Sequence, residues 1–273
     1  MPYAEALRVA TEAAQAAADL IASRAATFDR RDARTKTTHD LVTDVDEAAQ
    51  ALIVARLREA FPDDAILAEE GGDDRVTELS EGRRWIVDPL DGTTNFAHGI
   101  PPYAVSIALE EAGQIVVGVV EEVTSRETFA ATRGGGLTVN GATASVRETS
   151  DLDLALVSTG FPFRDYSYAD GYLQTFERLM RGTRGIRRHG SAAMDLAWTA
   201  AGRFDAFFEG GLAPWDVAAG VLLVEEGGGR VTGLDGKAHP VFSGGLIAAP
   251  ASLHGDLLEA CRPLAAEFAA SRG

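Results

Sequence analysis

Two apolar segments on either side of a short polar turn place the tightest limit on how this chain can fold. Residues 103–110, YAVSIALE, and residues 114–123, QIVVGVVEEV, flank the turn EAGQ. Runs of this length and composition, separated by a turn that contains glycine, predict a β-hairpin. The middle of the chain is therefore expected to contribute antiparallel strands to a sheet.

The rest of the first half of the chain alternates between helix and strand signals. The Ala-rich N-terminus predicts an amphipathic or largely buried helix. A second helix is expected to start near Thr43, Asp44 and Asp46, to continue through Ala48 to Ala60, and to end at Pro62. Three further strands are predicted in this half: DAILAEE, RRWIVD, and ETFAATRGGGLTVNG, which leads to a turn at Asn140-Gly141.

The second half of the chain alternates more regularly. The predicted strands are LALVSTGF, GIRRHG, FDAFFEG, RVTGL and GLIAAP, and the predicted helices are residues 168–180, SAAMDLAWTAAG, PWDVAAGVLLVEEGGG and one C-terminal helix. Long helices, an antiparallel hairpin and later β-α alternation favour a layered α/β or α+β enzyme fold. A length of 273 residues fits one large domain or two intimate halves.

Composition excludes several classes of function. The net charge of −16 makes nucleic-acid backbones and anionic membranes poor partners. A single cysteine, Cys261, excludes an intramolecular disulfide and a thiolate metal cluster. No apolar run is long enough to span a membrane, and the N-terminus lacks a signal-peptide pattern, so a cytoplasmic location is expected.

The stretch WIVDPLDGTTNF, residues 85–96, places Asp88 and Asp91 where an apolar strand ends. Pro89 fixes its own φ and keeps Asp88 extended. Gly92 permits a tight turn, after which Thr93 or Thr94 can open a helix. The segment is either a polar strand-to-helix turn capped by Asp91 or part of an acidic site.

Other carboxylates pose the same choice. Glu69 and Glu70 follow the apolar run 65–68, and only one of two neighbours on a strand can face a given site. Asp216 follows Pro214-Trp215 at the start of a helix, where it could simply cap the helix. Charges also commonly mark strand ends, so each residue alone remains ambiguous.

A convergence of these carboxylates would require compensation by protons or cations. Ligand sets made only of oxygen suit hard cations, of which Mg²⁺ is the favoured one. The amides of residues 92–94, at a helix start, would supply a phosphate cradle. Metals beside a phosphate cradle indicate metal-assisted phosphoryl transfer to water.

Six segments in a consistent order resemble the inositol monophosphatase family of Mg²⁺-dependent, lithium-sensitive phosphatases. They are DLVTDVD, LAEE, WIVDPLDGTTNF, LVSTGFPF, GSAAMDLAWTAAGRFDAFFE and PWDVAAGVLLVEEGGGRVT, and they cover nearly the full length. The resemblance implies a layered α-β-α-β-α sandwich, shared with fructose-1,6-bisphosphatase. It implies one domain over residues 1–273, with halves near residues 1–145 and 146–273.

The resemblance also implies roles for individual residues. The metal ligands would be Glu69, Asp88, the Leu90 carbonyl, Asp91 and Asp216, with two or three Mg²⁺ ions per site. Gly92 and Thr93 would bind the phosphate, and the catalytic group would comprise Asp46, Glu69 and Thr93, which orient and deprotonate the attacking water. Substrate contacts would come from Asp91, Gly190, Ser191, Ala192 and Glu209. Lys36 corresponds to a mobile lysine of the family, or is an ordinary surface lysine, and His189 is expected to be structural or on the surface.

The implied function is hydrolysis of a small phosphate monoester, with myo-inositol 1-phosphate favoured. Histidinol phosphate, a 3′-phosphoadenosine nucleotide and fructose 1,6-bisphosphate remain alternatives with the same chemistry. From another class of function, some bacterial relatives associate with the transcription machinery, so a regulatory protein partner is a further alternative. The family resemblance implies a homodimer, and the acidic net charge argues against direct nucleic-acid or membrane binding.

Overall fold

A computed structural model describes residues 3–29, 31, 33–37, 40–71, 81–238 and 240–272; it does not describe the side chains of residues 35–37 and 40. The helices are α1 Ala4–Ala25, α2 Asp44–Ala60, α3 Thr93–His98, α4 Ala169–Gly182, α5 Ala192–Ala200, α6 Pro214–Glu226, α7 Ala251–Ala260 and α8 Arg262–Ser271. The strands are β1 Arg34–Thr37, β2 Asp40–Val42, β3 Ala65–Ala68, β4 Arg83–Asp91, β5 Ala104–Glu111, β6 Gln114–Glu122, β7 Glu127–Thr132, β8 Gly136–Val139, β9 Ala142–Ala144, β10 Leu156–Thr159, β11 Gly185–Arg187, β12 Ala206–Gly210, β13 Gly229–Gly233 and β14 Gly245–Pro250.

Most of the strands form two sheets. The larger sheet has seven strands in the order β3-β4-β5-β6-β7-β8-β9, with β3 parallel to β4 and antiparallel pairing elsewhere. The smaller sheet has five strands in the order β11-β10-β12-β14-β13 and is mixed. Strands β1 and β2 form a separate two-stranded hairpin.

The helices occupy three layers around these sheets. Helices α1 and α2 pack on one face of the seven-stranded sheet, α5 and α6 lie between the two sheets, and α4, α7 and α8 cover the far face of the smaller sheet. Alternation along β4 separates the first two layers, because Trp85 and Val87 face α1 and α2 whereas Ile86 faces the central helices. The expected layered α-β-α-β-α sandwich is confirmed.

The predicted hairpin and the alternating second half are confirmed, but the C-terminal segment differs from its prediction. Instead of one helix, α7 ends at Ala260 and α8 begins at Arg262. Pro263 lies in the first turn of α8, where its missing N–H needs no partner. Inside a continuous helix the same proline would remove a hydrogen bond and clash with the preceding turn, so the chain makes two helices.

A β-bulge interrupts β4 between Asp88 and Asp91. Asp88 is paired with Ser106 and Asp91 with Ala104, so residues 89 and 90 lie opposite the single residue Val105. Residues three apart on a regular strand point to opposite faces. The extra residue turns Asp91 to the same side as Asp88, and Pro89 is tolerated there because a bulge needs no ladder hydrogen bond.

Helix α6 approaches the seven-stranded sheet closely, which fixes the position of its first turn. A Cβ on Gly118 of β6 would lie 2.9 Å from the Ala219 carbonyl oxygen, so a larger residue would push the helix away. The Ser106 hydroxyl of β5 also donates to the Trp215 carbonyl, at 3.3 Å. These contacts hold Asp216, one residue further along, over the end of β4.

Candidate active site

Three carboxylates converge at the bulged end of β4. Ligand atoms of Asp88, Asp91 and Asp216 all lie within 4.8 Å of one another. Asp88 is 1% exposed and Asp216 is 8% exposed, while Asp91 is partly accessible from a cleft. The predicted convergence of these three residues is therefore present in the fold.

The cluster is electrostatically strained when it contains no cation. Burial, followed by the charges of Glu69 and Asp91, raises the pKa of Asp88 well above its usual range. Burial and the charge of Asp216 raise the pKa of Asp91 to about 7. A site built only from oxygen ligands fits a hard divalent cation such as Mg²⁺.

Asp91 is oriented by the opposite half of the sequence. Its Oδ2 atom accepts a hydrogen bond from the Ser191 hydroxyl at 2.6 Å and another from the Ala193 N–H at 2.7 Å. The Ser191 hydroxyl also caps α5 by accepting from the Met194 N–H. The start of α5 thus orients the Asp91 carboxylate through Oδ2, and these two donors do not use Oδ1.

Asp216 and Glu69 reach the site from two other elements. Asp216 accepts a hydrogen bond from the Ala213 N–H at 2.7 Å, so it caps α6 as well as contributing to the cluster. Glu69 lies just past the end of β3, where its N–H donates to the Val87 carbonyl of β4. Glu69 lines the same cleft as the three aspartates.

A partly buried hydrogen bond joins Thr93 to Asp46. The Thr93 hydroxyl lies 2.8 Å from Asp46 Oδ1 and 3.0 Å from the Leu90 carbonyl oxygen, and its single proton can serve one acceptor at a time. Asp46 also accepts from the N–H and hydroxyl of Thr43 at the start of α2. Burial raises the pKa of Asp46, although the hydrogen bonds from Thr43 and Thr93 oppose that effect.

Gly92 makes the turn between the bulge and α3. Its φ of +92° belongs to the left-handed region, which glycine adopts without strain. A Cβ there would lie 3.2 Å from the Pro102 carbonyl oxygen and 3.3 Å from that of Gly190. The predicted glycine turn before a short helix is present, and only a residue without a side chain fits it.

Asn95, a residue that the sequence did not mark, ties this turn to the second half of the chain. Its side-chain amide donates to the Pro102 carbonyl at 2.8 Å and to the His189 carbonyl at 2.7 Å. The predicted substrate turn, Gly190 to Ala192, is thereby held against the start of α3. Position 95 carried no local signal, because both of its partners are distant in sequence or lie in an irregular loop.

Glu209 lies at the end of β12 and is 8% exposed, so it is a buried carboxylate rather than a solvated strand-end charge. Burial, followed by the charges of Asp195 and Asp216, raises its pKa well above the usual range. A Cβ on Gly160 would overlap its carboxylate. The glycine of LVSTGFPF therefore makes room for this group.

His189 packs against side chains of α5. Its Nδ1 atom lies 2.9 Å from Asp195 Oδ1, and its ring packs on Trp198 and Phe204. Burial raises the pKa of Asp195 to about 6, against the hydrogen bond and the charge of His189. The pair anchors the residue that precedes the substrate turn to α5.

Most of these groups line one cleft of about 250 Å³. Of the predicted site residues, the lining includes Glu69, Asp88, Leu90, Asp91, Gly92, Thr93, Gly190, Ser191, Ala192, Glu209 and Asp216. Asp46 lies behind the lining and acts on it through Thr93. The backbone at Lys36 belongs to β1, and its side chain is outside the part of the chain that the structure describes.

Comparison with known proteins identifies the family. The model of the inositol monophosphatase family matches residues 3–266. The chain belongs to this family. A curated relative from Pseudomonas aeruginosa, named Nus factor SuhB, is 43% identical over 259 residues, which is 94% of this chain and 96% of the relative. The Escherichia coli K12 protein of the same name is 43% identical over 242 residues, covering 89% of this chain and 90% of the relative.

Solved members of the family share the fold. The inositol monophosphatase from Anabaena is 37% identical with a TM-score of 0.83, and the match covers 97% of this chain and all of that one. The extragenic suppressor protein suhB from Bartonella henselae is also 37% identical, with a TM-score of 0.86, over 94% of this chain and 98% of that one. Family membership accords with a metal-dependent site at the acidic cluster.

Among the helices that the structure describes, none combines the length and the apolar character that crossing a membrane would require.

Proposed function

We propose that the protein is a Mg²⁺-dependent hydrolase of small phosphate monoesters. The observation that carries this proposal is the convergence of Asp88, Asp91 and Asp216 next to the Gly92 turn. The carboxylates suit hard cations, and the backbone amides at the start of α3 suit phosphate oxygens. Metal and phosphate would thus meet at one point of the cleft.

The cation ligands would be Glu69, Asp88, the Leu90 carbonyl, Asp91 and Asp216, for two or three Mg²⁺ ions. Bound there, the cations supply positive charge that offsets the charge of the phosphate and of the departing oxygen. Without them the carboxylates repel one another, as the raised pKa values of Asp88 and Asp91 indicate.

The remaining steps belong to side chains and backbone of this chain. The amides of Gly92 and Thr93 would hold the phosphate, so that water approaches phosphorus in line. The Thr93 hydroxyl would orient that water and relay its proton, taking the proton of the water as it passes its own to Asp46 at 2.8 Å, with help from Glu69. General-base assistance of this kind contributes a factor on the order of 10²–10⁴. Gly190, Ser191, Ala192 and Glu209 would contact the alcohol part of the ester.

Myo-inositol 1-phosphate is the favoured substrate because Glu209 and the 190–192 turn offer polar groups to a ring of hydroxyls. Histidinol phosphate, a 3′-phosphoadenosine nucleotide and fructose 1,6-bisphosphate would use the same chemistry. The deciding experiment measures phosphate release from myo-inositol 1-phosphate and histidinol phosphate, with Mg²⁺ and with EDTA, and then with lithium. We expect Mg²⁺-dependent phosphate release that favours the inositol ester. Equal phosphate release with Mg²⁺ and with EDTA would show that the reaction does not need the metal.

A second function is supported by the relatives. Proteins named Nus factor SuhB match this chain at 43% identity over most of both lengths. We propose that this chain also serves as a regulatory protein partner of the transcription machinery in the cytoplasm, by itself or as a homodimer. This role is compatible with phosphatase activity and does not require it.

The two functions can be separated in cells that depend on this protein. Affinity purification of the tagged protein should recover subunits of the transcription machinery at stoichiometric levels. Replacement of the wild type by the Asp88→Asn variant tests whether that partnership needs the phosphatase site. Growth and recovery unchanged by the variant would make the regulatory role independent of catalysis, and failure to recover any such subunit would count against the role.

A further inference from the structure

The cleft contains cationic side chains as well as carboxylates. Arg164 and Arg188 line it together with the aromatic residues Phe163 and Tyr166. The roles proposed above use neither arginine. A cation on the wall of an acidic cleft either neutralises a particular carboxylate or is available to a ligand, and the two cases differ in geometry.

Arg188 is exposed, and its guanidinium contacts an aromatic ring rather than an ion-pair partner. It lies 5.3 Å from the centre of the Phe161 ring, and a Cβ on Gly190 would overlap its Nη1 atom. Within the part of the chain that the structure describes, no carboxylate comes within 4.0 Å of this guanidinium. Phe161 and Gly190 therefore position the guanidinium of a residue that lines the cleft.

The charge of Arg188 acts at the alcohol side of the cleft. It lowers the pKa of Glu209 and of Asp195, against the larger effect of burial. The main influences on Asp88 and Asp91 are burial, carboxylates and local hydrogen bonds. Arg188 also lies beside Gly190, one of the groups assigned to the alcohol part of the ester.

We infer that Arg188 is a specificity-determining residue that binds a second anionic group of the substrate, a carboxylate or a phosphate, remote from the phosphate that is hydrolysed. This inference rests on the proposed phosphatase function and names the substrate class more closely. Planar guanidinium groups bind both anions through paired N–H donors, and the aromatic support limits the entropy lost on binding. Esters with the second anion are bound more tightly than otherwise similar esters without it.

Two pairs of esters isolate the second anion. 6-Phosphogluconate and glucitol 6-phosphate share an acyclic carbon chain and one phosphate, and they differ in a terminal carboxylate. Fructose 1,6-bisphosphate and fructose 6-phosphate differ in a second phosphate. The quantity measured is the ratio of kcat/KM values within each pair, for the wild type and for the variants Arg188→Gln, Arg188→Lys and Arg187→Gln.

Arg187 is the matched control, because it is an exposed neighbour whose guanidinium donates to the Ile186 carbonyl and is not part of the cleft. We expect Arg188→Gln to reduce the ratio about tenfold, the usual effect of one lost charged hydrogen bond. Arg188→Lys should restore part of it, and Arg187→Gln should leave it within about twofold of the wild type, since exposed charges act weakly at a distance. The effect should lie mainly in KM.

Three results would overturn the inference. An unchanged ratio in Arg188→Gln would show that the guanidinium does not select the second anion. Equal losses for both members of a pair would instead assign Arg188 to the hydrolysed phosphate. If the Arg187→Gln and Arg188→Gln variants lowered the kcat/KM ratio equally, the effect would come from the overall charge of the protein rather than from a site at Arg188. Sedimentation of each variant identifies any change in subunit assembly. If Arg188→Gln left the kcat/KM ratio unchanged but altered assembly, Arg188 would be assigned to subunit packing.

The experiment also separates this inference from the function on which it rests. If the wild type releases no phosphate from any ester, the phosphatase proposal fails. The calorimetric affinity ratio of the same paired esters, measured with Mg²⁺ on the wild type and on Arg188→Gln, then decides the role of Arg188 independently.

Discussion

The two ends of β4 bury charge in opposite ways. Near its start, Arg84 lies directly opposite Glu110 on β5, and its Nε and Nη2 atoms donate to Glu110 Oε2 at 3.0 and 2.6 Å. The two residues are 6% and 1% exposed. At the other end, no arginine or lysine among the described side chains pairs with Asp88 or Asp91. One strand therefore carries a buried charge with its partner built in and a buried charge that lacks one.

The difference separates a structural role from a functional one. A buried ion pair with good hydrogen bonds satisfies itself, and its removal affects stability. Buried carboxylates that repel one another destabilise the fold until a ligand compensates them, and such groups concentrate at functional sites. Changes at the two ends should therefore affect different observables.

The largest effect is expected for Asp88→Asn. Removing one charge from the cluster should reduce phosphate release more than about 10³-fold, because cations at the reacting phosphate supply several kcal/mol of stabilisation. Circular dichroism and thermal melting in EDTA should remain like those of the wild type or improve. A rate near that of the wild type at ordinary Mg²⁺ concentrations would remove Asp88 from the site.

At the opposite end, Arg84→Met should leave the charge of Glu110 buried without its partner. The expected loss is about 3–5 kcal/mol of unfolding free energy, measured by urea titration, with kcat at low temperature unchanged. The double variant Arg84→Met, Glu110→Leu is the matched control and should recover most of the stability. A fall in kcat at constant stability would contradict the structural role of this pair.

The charge balance of the cluster predicts how stability depends on pH. The pKa of Asp91 is about 7 in the folded chain and about 4 in the unfolded chain, so its contribution to stability is lost as pH rises from 4 to 7. In EDTA, Asp91→Asn should therefore melt above the wild type at pH 8, and the gap should close toward pH 4.5. Mg²⁺ should reverse the order, since it stabilises only the protein that binds it. If the melting temperatures of the wild type and of Asp91→Asn in EDTA differed by the same amount from pH 4.5 to 8, the repulsion proposed for this cluster would be contradicted.

A smaller effect is expected for Asp216→Asn. Asparagine keeps an oxygen that can accept the Ala213 N–H, so the cap of α6 survives while one negative charge is lost. The Mg²⁺ concentration for half-maximal rate should rise about tenfold, as for the loss of one charged ligand contact. Ala213→Gly is the control for a disturbed helix start. An unchanged Mg²⁺ requirement would make Asp216 only a cap.

Features set by a few adjacent residues were predictable from the sequence. Pro214 at the start of α6 and the glycine turn at Gly92 follow from backbone preferences of those residue types. The hairpin of β5 and β6 followed from its apolar runs and turn. The split between α7 and α8 was missed although Pro263 signals it, because the apolar spacing continues through it.

Features that depend on contacts between distant segments were not predictable in the same way. The bulge at Pro89 becomes visible only once β5 supplies the register. The Asn95 bridge and the space that Gly160 leaves for Glu209 both depend on how the two sheets face each other. The roles of the individual site residues, Lys36 among them, stay predictions that the variants above can test.

The bulge makes the spacing of β4 matter more than the chemistry of the residues inside it. Leu90 contributes only its backbone to the proposed ligand set, so other apolar side chains should serve at that position. Deleting one residue between the two aspartates would remove the bulge and leave the carboxylates two apart on a regular strand, still on one face, but without the extra unpaired backbone that the bulge supplies. In this strand, one extra residue adds an unpaired backbone carbonyl to the acidic site without turning the second aspartate away from it.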